Sequence, residues 1–287
     1  MDVFLQQLYA GLASGAVYAL VAYGYGLIFV TSRIVNFAQG QLVMLGAVIG
    51  VSFLNIGIPY WLMVPLTILC VSAAGLLLER AVTLPLRAAN SPYTWIVATL
   101  AAAVIIDNIV ALTYGTDAQT FPPAVNGSAH IGGFVMDYHK LLVIFVAVAM
   151  CFLIEFLLNR TITGKAIRAT ADNPVGARLS GVPVPRLVML SFVLAGAIGG
   201  LAGIVVGPIL YASVLIGLQL GLTGFIAAVI GGLGSFRGAL VGGLILGMSQ
   251  TVVAQRVSSG AASAILLGLL MVTLITRPQG IFGRQQV

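Results

Sequence analysis

Charge is what this sequence has least of. Of its 287 residues only 7% are Asp, Glu, Lys or Arg, while 60% are hydrophobic and the mean hydropathy is +1.12. That balance excludes an ordinary soluble fold and points to an integral membrane protein. The 13 basic residues against 7 acidic give a net charge of +6, but they are too few and too scattered between apolar runs to form a phosphate-binding surface, so no nucleic-acid partner is expected. Histidine and cysteine are also scarce. His130 and His139 lack flanking Cys or paired carboxylates, which argues against a metal site. Cys70 and Cys151 sit inside apolar runs, where a thiol behaves as a small hydrophobe. The nearest approach to a phosphate-binding loop, "TGKA" at Thr163 to Ala166, lacks the upstream Gly and the Ser or Thr that would hold magnesium. No histidine falls in a candidate span, so a Ser, His and Asp constellation cannot form there. The chain is therefore expected to be non-catalytic and to bind no cofactor or metal itself.

What the chain does have is a succession of apolar runs. A span needs about 20 such residues, and on that measure helices are expected near 8–30, 41–56, 60–78, 93–113, 141–158, 187–208, 221–234, 239–255 and 261–276. The predicted fold is all-α and polytopic, a single transmembrane domain over 1–287 with eight to ten transmembrane or re-entrant helices. The stretches 36–56 and 221–238 are short and glycine-rich, as broken or re-entrant segments are. The N-terminus carries Asp2, has no basic leader and opens an apolar run too long for a signal peptide, so it reads as a retained first span.

Lys and Arg collect in three places: Arg80 and Arg87, then Arg160 to Arg186, then Arg277 and Arg284. With nine alternating spans all three fall on one side, which the positive-inside rule makes cytoplasmic. The N-terminus is then outside and the C-terminus inside, with 114–140 an external loop and 159–186 a cytoplasmic one. Arg256 is the exception.

Glycine, at 35 residues, is spaced to pack helices closely: Gly11 and Gly15, Gly196 and Gly200, Gly243 and Gly247 are each four apart. "RIVNFAQGQLVMLGAVIG" from Arg33 and "GSFRGALVGGLILG" from Gly234 echo one another, either as the trace of two related halves or by coincidence in glycine-rich sequence.

Polar residues inside the spans carry the functional information, because an ionisable group at mid-membrane costs about 2.5–3.5 kcal/mol on insertion scales and usually lines a cavity or meets a partner. Asp107 with Asn108 is the clearest case, counting about 22 Å along its helix from Pro92. They fit an outward-facing cavity or the outer headgroups. Asn36, Gln39 and Gln41 surround Gly40 in "NFAQGQ", as a broken helix or an amide-capped turn requires.

The loop "RTITGKAIRATADNPVGARLSGVPVPR" has the signals of two short helices. Asp172 or Asn173 suits the second N-cap, Pro174 its first turn and Gly181 its stop. Small residues such as Gly164, Ala169, Gly176 and Ala177 keep the surface low, while Arg168 and Arg178 can make polar contacts at its rim. The basic excess suits anionic lipid heads as well, but paired caps fit a dock for a cytoplasmic partner better.

"TGKAIRATADNPVGARLSGV" followed by "FVLAGAIGGLAGIVVG" resembles the coupling segment of the permease subunits of branched-chain amino acid ABC importers. "GLASGAVYALVAYGYGLIF", "VNFAQGQLVMLGA", "AAVIGGLGSFRGALVGGLILG" and "RPQGIFG" resemble that family in the same order, over nearly the whole chain. The resemblance implies a multi-pass protein of the bacterial cytoplasmic membrane working with three kinds of partner: a second permease, related or identical, two cytoplasmic ATPase subunits that use ATP and Mg, and an external substrate-binding protein. It also implies that Gly164 to Gly181 seat in the ATPase and that Asn36 and Gln39 lie toward the transport route. Asp107, where the family has an uncharged polar residue, and Arg237, in a turn usually without charge, depart from the pattern. They leave urea or short amides open as substrates beside aliphatic amino acids. An ion-coupled secondary transporter would have Asp107 as its coupling carboxylate.

Overall fold

The computed structural model describes residues 2–88, 92–131, 134–256 and 259–283. Eleven helices follow in order among them: α1 (Asp2–Ser32), α2 (Gln39–Asn55), α3 (Tyr60–Leu78), α4 (Pro92–Tyr114), α5 (Tyr138–Arg160), α6 (Ile162–Asp172), α7 (Pro174–Leu179), α8 (Val184–Leu210), α9 (Leu215–Gly231), α10 (Phe236–Arg256) and α11 (Ser259–Thr276). Each of the nine apolar stretches marked in the sequence carries a helix, with ends up to six residues from expectation, as at the starts of α1 and α9. In hydrocarbon no water can satisfy the backbone, so apolar runs free of charge close their hydrogen bonds within each helix. Among the described residues six helices are long and apolar enough to cross a membrane: α1, α3 with its wide-turn extension to Thr83, α4, α5, α8 and α10. Helices α2 and α9, at 17 residues each, are shorter.

Helix α1 is the axis of the bundle. It packs on α10, α8, α9 and α5, and from Ala13 to Ile28 nearly every apolar side chain is buried. Helix α2 is the second interior helix, between α8, α9 and α3, whereas α4 and α11 keep broad apolar faces outward. Close approach depends on missing side chains. A Cβ on Gly247 would lie 2.2 Å from the Gly15 nitrogen, one on Gly203 2.2 Å from the Val43 oxygen, and one on Gly40 2.0 Å from the Gly217 oxygen. The four-residue glycine spacing thus marks the α1–α10 and α2–α8 contacts.

The connections sort cleanly between the two ends of the bundle. At one end, Arg33 donates from its guanidinium to the Ala171 oxygen of α6 and Arg80 reaches Met189 at the start of α8. At that end too the Ile281 and Phe282 nitrogens donate to the Ile230 and Gly231 oxygens, 2.9 and 3.0 Å, capping α9. At the other end, Gln119 pairs with Ala212 through two backbone hydrogen bonds and Asn55 approaches Gln119. The basic segments around Arg80, Arg160 to Arg186 and Arg277 therefore share one end; the Arg87 side chain and Arg284 lie outside the described residues.

The stretch 114–140, expected as a plain loop of an all-α chain, holds a small antiparallel hairpin, β1 (Ser128–Ile131) with β2 (Phe134–Asp137). Its signal in the sequence is a Gly-Gly pair between short apolar runs. Gln6 of α1 clasps Val135 through both its amide atoms, and Tyr9 donates to the Asp137 oxygen.

Replacing Gly247 by Ala should lower the thermal midpoint of the detergent-solubilised protein, as overpacking costs about 1–3 kcal/mol. The same change at Gly268, where a Cβ meets nothing within 4 Å, should leave it unchanged or slightly higher.

Candidate functional site: a helix that begins inside the bundle and a capped hairpin beneath it

Helix α1 ends at Ser32, and Arg33 reverses the chain with a left-handed backbone, φ 58°, while its nitrogen still bonds the Phe29 oxygen at 2.9 Å. Residues 34–38 then climb back into the protein before α2 starts. The Phe37 nitrogen bonds Thr99 Oγ1 at 3.3 Å, about 10 Å along α4 from Pro92 at the usual helical rise. Gln39 Nε2 reaches the Ala195 oxygen at 3.2 Å, about 16 Å along α8 from Val184. The N-terminus of α2 is therefore buried well inside the bundle. The Asn36 side chain satisfies it in part, Oδ1 accepting from the Ala38 nitrogen at 3.1 Å.

The structure divides the polar residues marked in the sequence. Gln39, fully buried, projects toward α1 and α8, where Gly24 makes room: a Cβ there would lie 2.0 Å from Gln39 Nε2. Gln41, two positions on, faces the opposite side and donates from Nε2 to Asp107 Oδ2 of α4 at 3.4 Å. Asn108 is exposed and bonds back to the Val104 oxygen at 2.8 Å, so it does not join them. Asn36 Nδ2, Gln39 Oε1, Gln41 Oε1 and Asp107 Oδ1 are all buried atoms without a hydrogen-bond partner among the described residues. Such atoms are costly unless something arrives to meet them. Outward from Gln41 and Asp107, a small cavity is lined by Val48 and Val51 of α2, Val110 and Tyr114 of α4, and Asp117, Gln119 and Ser213 at its mouth.

The hairpin α6–α7 is built as its capping residues dictate. Thr161 Oγ1 accepts from the Gly164 nitrogen at 2.9 Å, and Asn173, one of the two expected N-caps, accepts from the Gly176 nitrogen at 2.8 Å. Gly181, φ 81°, ends the second helix as expected. Gly164 and Ala177 face inward, Gly164 so tightly that a Cβ would lie 2.1 Å from the Leu157 oxygen of α5. Gly176 is half-buried. Arg168, Ala169, Arg178 and Gly181 face outward with Ile162, Val175 and Leu179, the last 86% exposed. An apolar patch rimmed by two arginines thus stands exposed on capped helices.

Arg237, a departure in the sequence, has a partner the sequence did not suggest. Its Nε and Nη2 approach Glu155 Oε2 at 2.8 and 2.7 Å, joining α10 to the end of α5 that carries α6. The Glu155 side chain is 18% exposed and that of Arg237 70%, so the acid sits inside and the guanidinium reaches the rim. Arg237→Glu should destabilise the purified protein to heating, and the exchange Glu155→Arg with Arg237→Glu should recover part of the loss. No difference between the single and double variants would exclude the pair as a tie.

Comparison with known proteins agrees with this architecture. Residues 7–275 match the family described as "Branched-chain amino acid transport system / permease component". The chain is 30% identical over 300 residues to the high-affinity branched-chain amino acid transport system permease protein BraD of Pseudomonas aeruginosa, covering 99% of this chain and 97% of that one. It is likewise 30% identical over 301 residues to LivH of Escherichia coli K12, covering 99% and 97%. Among solved structures, PsaBC from Streptococcus pneumoniae in complex with Fab superposes with a TM-score of 0.51 at 12% identity over 97% of this chain and 94% of that one, a likeness of fold. With its spans, its buried helix start and a match along almost its whole length, this chain belongs to the branched-chain amino acid transport permease family and is a multi-pass membrane protein.

Proposed function

We propose that the chain is the permease subunit of a binding-protein-dependent importer in a bacterial cytoplasmic membrane, moving small aliphatic amino acids inward while separate subunits hydrolyse ATP. The observation that carries this reading is the α6–α7 hairpin. It stands at the end of the bundle where the basic segments gather, anchored inward by Gly164 and by the Arg33 contact to Ala171, with Arg168, Arg178 and Leu179 free to meet a partner. In this reading two ATPase subunits dock there, a second permease subunit or a second copy packs beside the chain, and an external binding protein delivers the substrate near the hairpin β1–β2. Nine crossings with the N-terminus outside put these surfaces on the required sides.

The route runs between α2, α4 and α9, from the cavity at Asp117 and Ser213 inward past Val48 and Val110 to Gln41 and Asp107. Its walls are apolar with few polar groups, which suits a solute that must be released as readily as it is admitted. A neutral zwitterion crosses such a path at lower cost than a solute of net charge.

With Cys70 and Cys151 replaced by Ala, a cysteine at Asn126 should react with an impermeant thiol reagent from outside intact cells, and one at Val175 only after the inner face is opened. The reverse pattern would refute the orientation. Arg168→Glu and Arg178→Glu should weaken co-purification of the ATPases or uncouple hydrolysis from uptake, since charge reversal in a partly desolvated contact costs on the order of 2–5 kcal/mol. The deciding assay is uptake by the reconstituted complex with its own binding protein. Saturable, ATP-dependent leucine or valine transport unaffected by excess urea supports the reading, and urea transport without response to aliphatic amino acids ends it.

A further inference from the structure

Resting on that reading, we propose that Asp107 and Gln41 form an ammonium-recognising contact partway through the membrane, and that this contact selects substrates bearing a primary amine on an aliphatic body. The chemistry lies in which atoms are left over. Gln41 is 1% exposed, and its amide orientation is fixed because Nε2 faces Asp107 Oδ2 at 3.4 Å. Both atoms then left without a partner, Gln41 Oε1 and Asp107 Oδ1, are acceptors, and one belongs to a carboxylate. Among the described residues no ion pair reaches Asp107; the arginine pairs are those of Arg80 with Glu79 and Arg237 with Glu155. Two unpartnered atoms, one of them on a carboxyl group with no ion-pair partner among the described residues, fit a donor that brings positive charge.

The surroundings define the rest of the ligand. Val110 lies one turn outward of Asp107 on the same face of α4, and Met44 and Val48 lie one and two turns outward of Gln41 on the same face of α2. Val48, Val51 and Val110 line the cavity above. Across from Gln41 stands Gly217 of α9, where a Cβ would lie 3.4 Å from Gln41 Nε2, so the backbone there leaves the amide uncrowded. A polar spot whose unpartnered atoms are the Gln41 and Asp107 oxygens, under valine and methionine side chains, matches the amine and side chain of an aliphatic amino acid. Helix α4 has only a few contacts with α2, so the pair can part as a solute passes.

The test uses the complete complex in proteoliposomes with its ATPases and loaded binding protein. Asp107→Asn keeps the size and one acceptor but removes the charge. It should cut ATP-dependent leucine uptake at least tenfold while the complex still assembles with its ATPases, and Asp107→Glu should recover part of the rate. Gln41→Met, which leaves Asp107 in place, should also lower uptake. A direct probe is isopentylamine, which should protect a cysteine placed at Val110 from a thiol reagent in the wild-type background and fail to do so with Asp107→Asn, while isovalerate and urea should protect in neither. Wild-type leucine uptake in the Asp107→Asn complex, or equal protection by isopentylamine and urea, overturns the ammonium contact and leaves the permease reading standing. A wild-type complex that imports no aliphatic amino acid overturns the permease reading itself.

Discussion

The constraint on which this structure turns is that α2 begins inside the bundle rather than at its edge. A helix N-terminus exposes backbone donors, and in an apolar setting each must be met by protein. Residues 33–38 meet part of that demand locally, as Arg33 turns the chain and Asn36 takes the Ala38 nitrogen, and the Gln39 side chain then ties the first turn to α8 by donating to the Ala195 oxygen. The packing around them follows from this. Gly24 on α1 leaves space for the Gln39 amide, and Gly217 and Gly221 on α9 let Gly40 come against their backbone. Helices α1, α8 and α9 are thereby set around one point, and α4 reaches it through Thr99 and Asp107.

The energetics of that arrangement differ from those of a soluble core. Between spans there is no hydrophobic gain to draw on, so association depends on dispersion and on a few interior hydrogen bonds. Glycine serves the first and the buried tyrosines the second: Tyr25 donates to the Gly221 oxygen at 3.0 Å, Tyr23 to the Ala147 oxygen at 3.1 Å, and Tyr18 to Gln250. All three lie on α1, the most enclosed span. The longest buried helix therefore also carries the directional contacts that fix its rotation against α5, α9 and α10.

Much of the architecture was legible in the sequence because its signals are local. Apolar run length marked nine helices, capping chemistry marked the α6–α7 pair down to Asn173 and Gly181, and four-residue glycine spacing marked the close contacts. What could not be read was relational. Glu155 and Arg237 are far apart in sequence, and nothing in either helix names the other as partner. Gln39 and Gln41 look alike in "NFAQGQ", yet helical rotation turns one into the α1–α8 seam and the other onto α4. Asp107 and Asn108, adjacent in sequence, separate for the same reason. The β1–β2 hairpin was readable from its glycine pair but is too short to register beside long apolar runs.

The same geometry joins the proposed dock to the proposed route. Arg33 holds the α6 end of the hairpin, and α2 starts only a few residues later, at the amides that face Ala195 and Asp107. On the other flank, Gly164 seats α6 on α5, and Glu155 of that helix grips Arg237 at the head of α10, whose glycines pack against α1. A displacement of the hairpin therefore reaches the buried start of α2 through a link of six residues and reaches α1 from behind through α5 and α10. Stiff, glycine-packed helices transmit such a displacement rather than absorb it, because a close-packed interface has few intermediate arrangements. In the proposed importer α4 is held to the buried start of α2 by the long Gln41 to Asp107 hydrogen bond and the Phe37 to Thr99 contact, so the proposed route opens by a parting of α4 from α2.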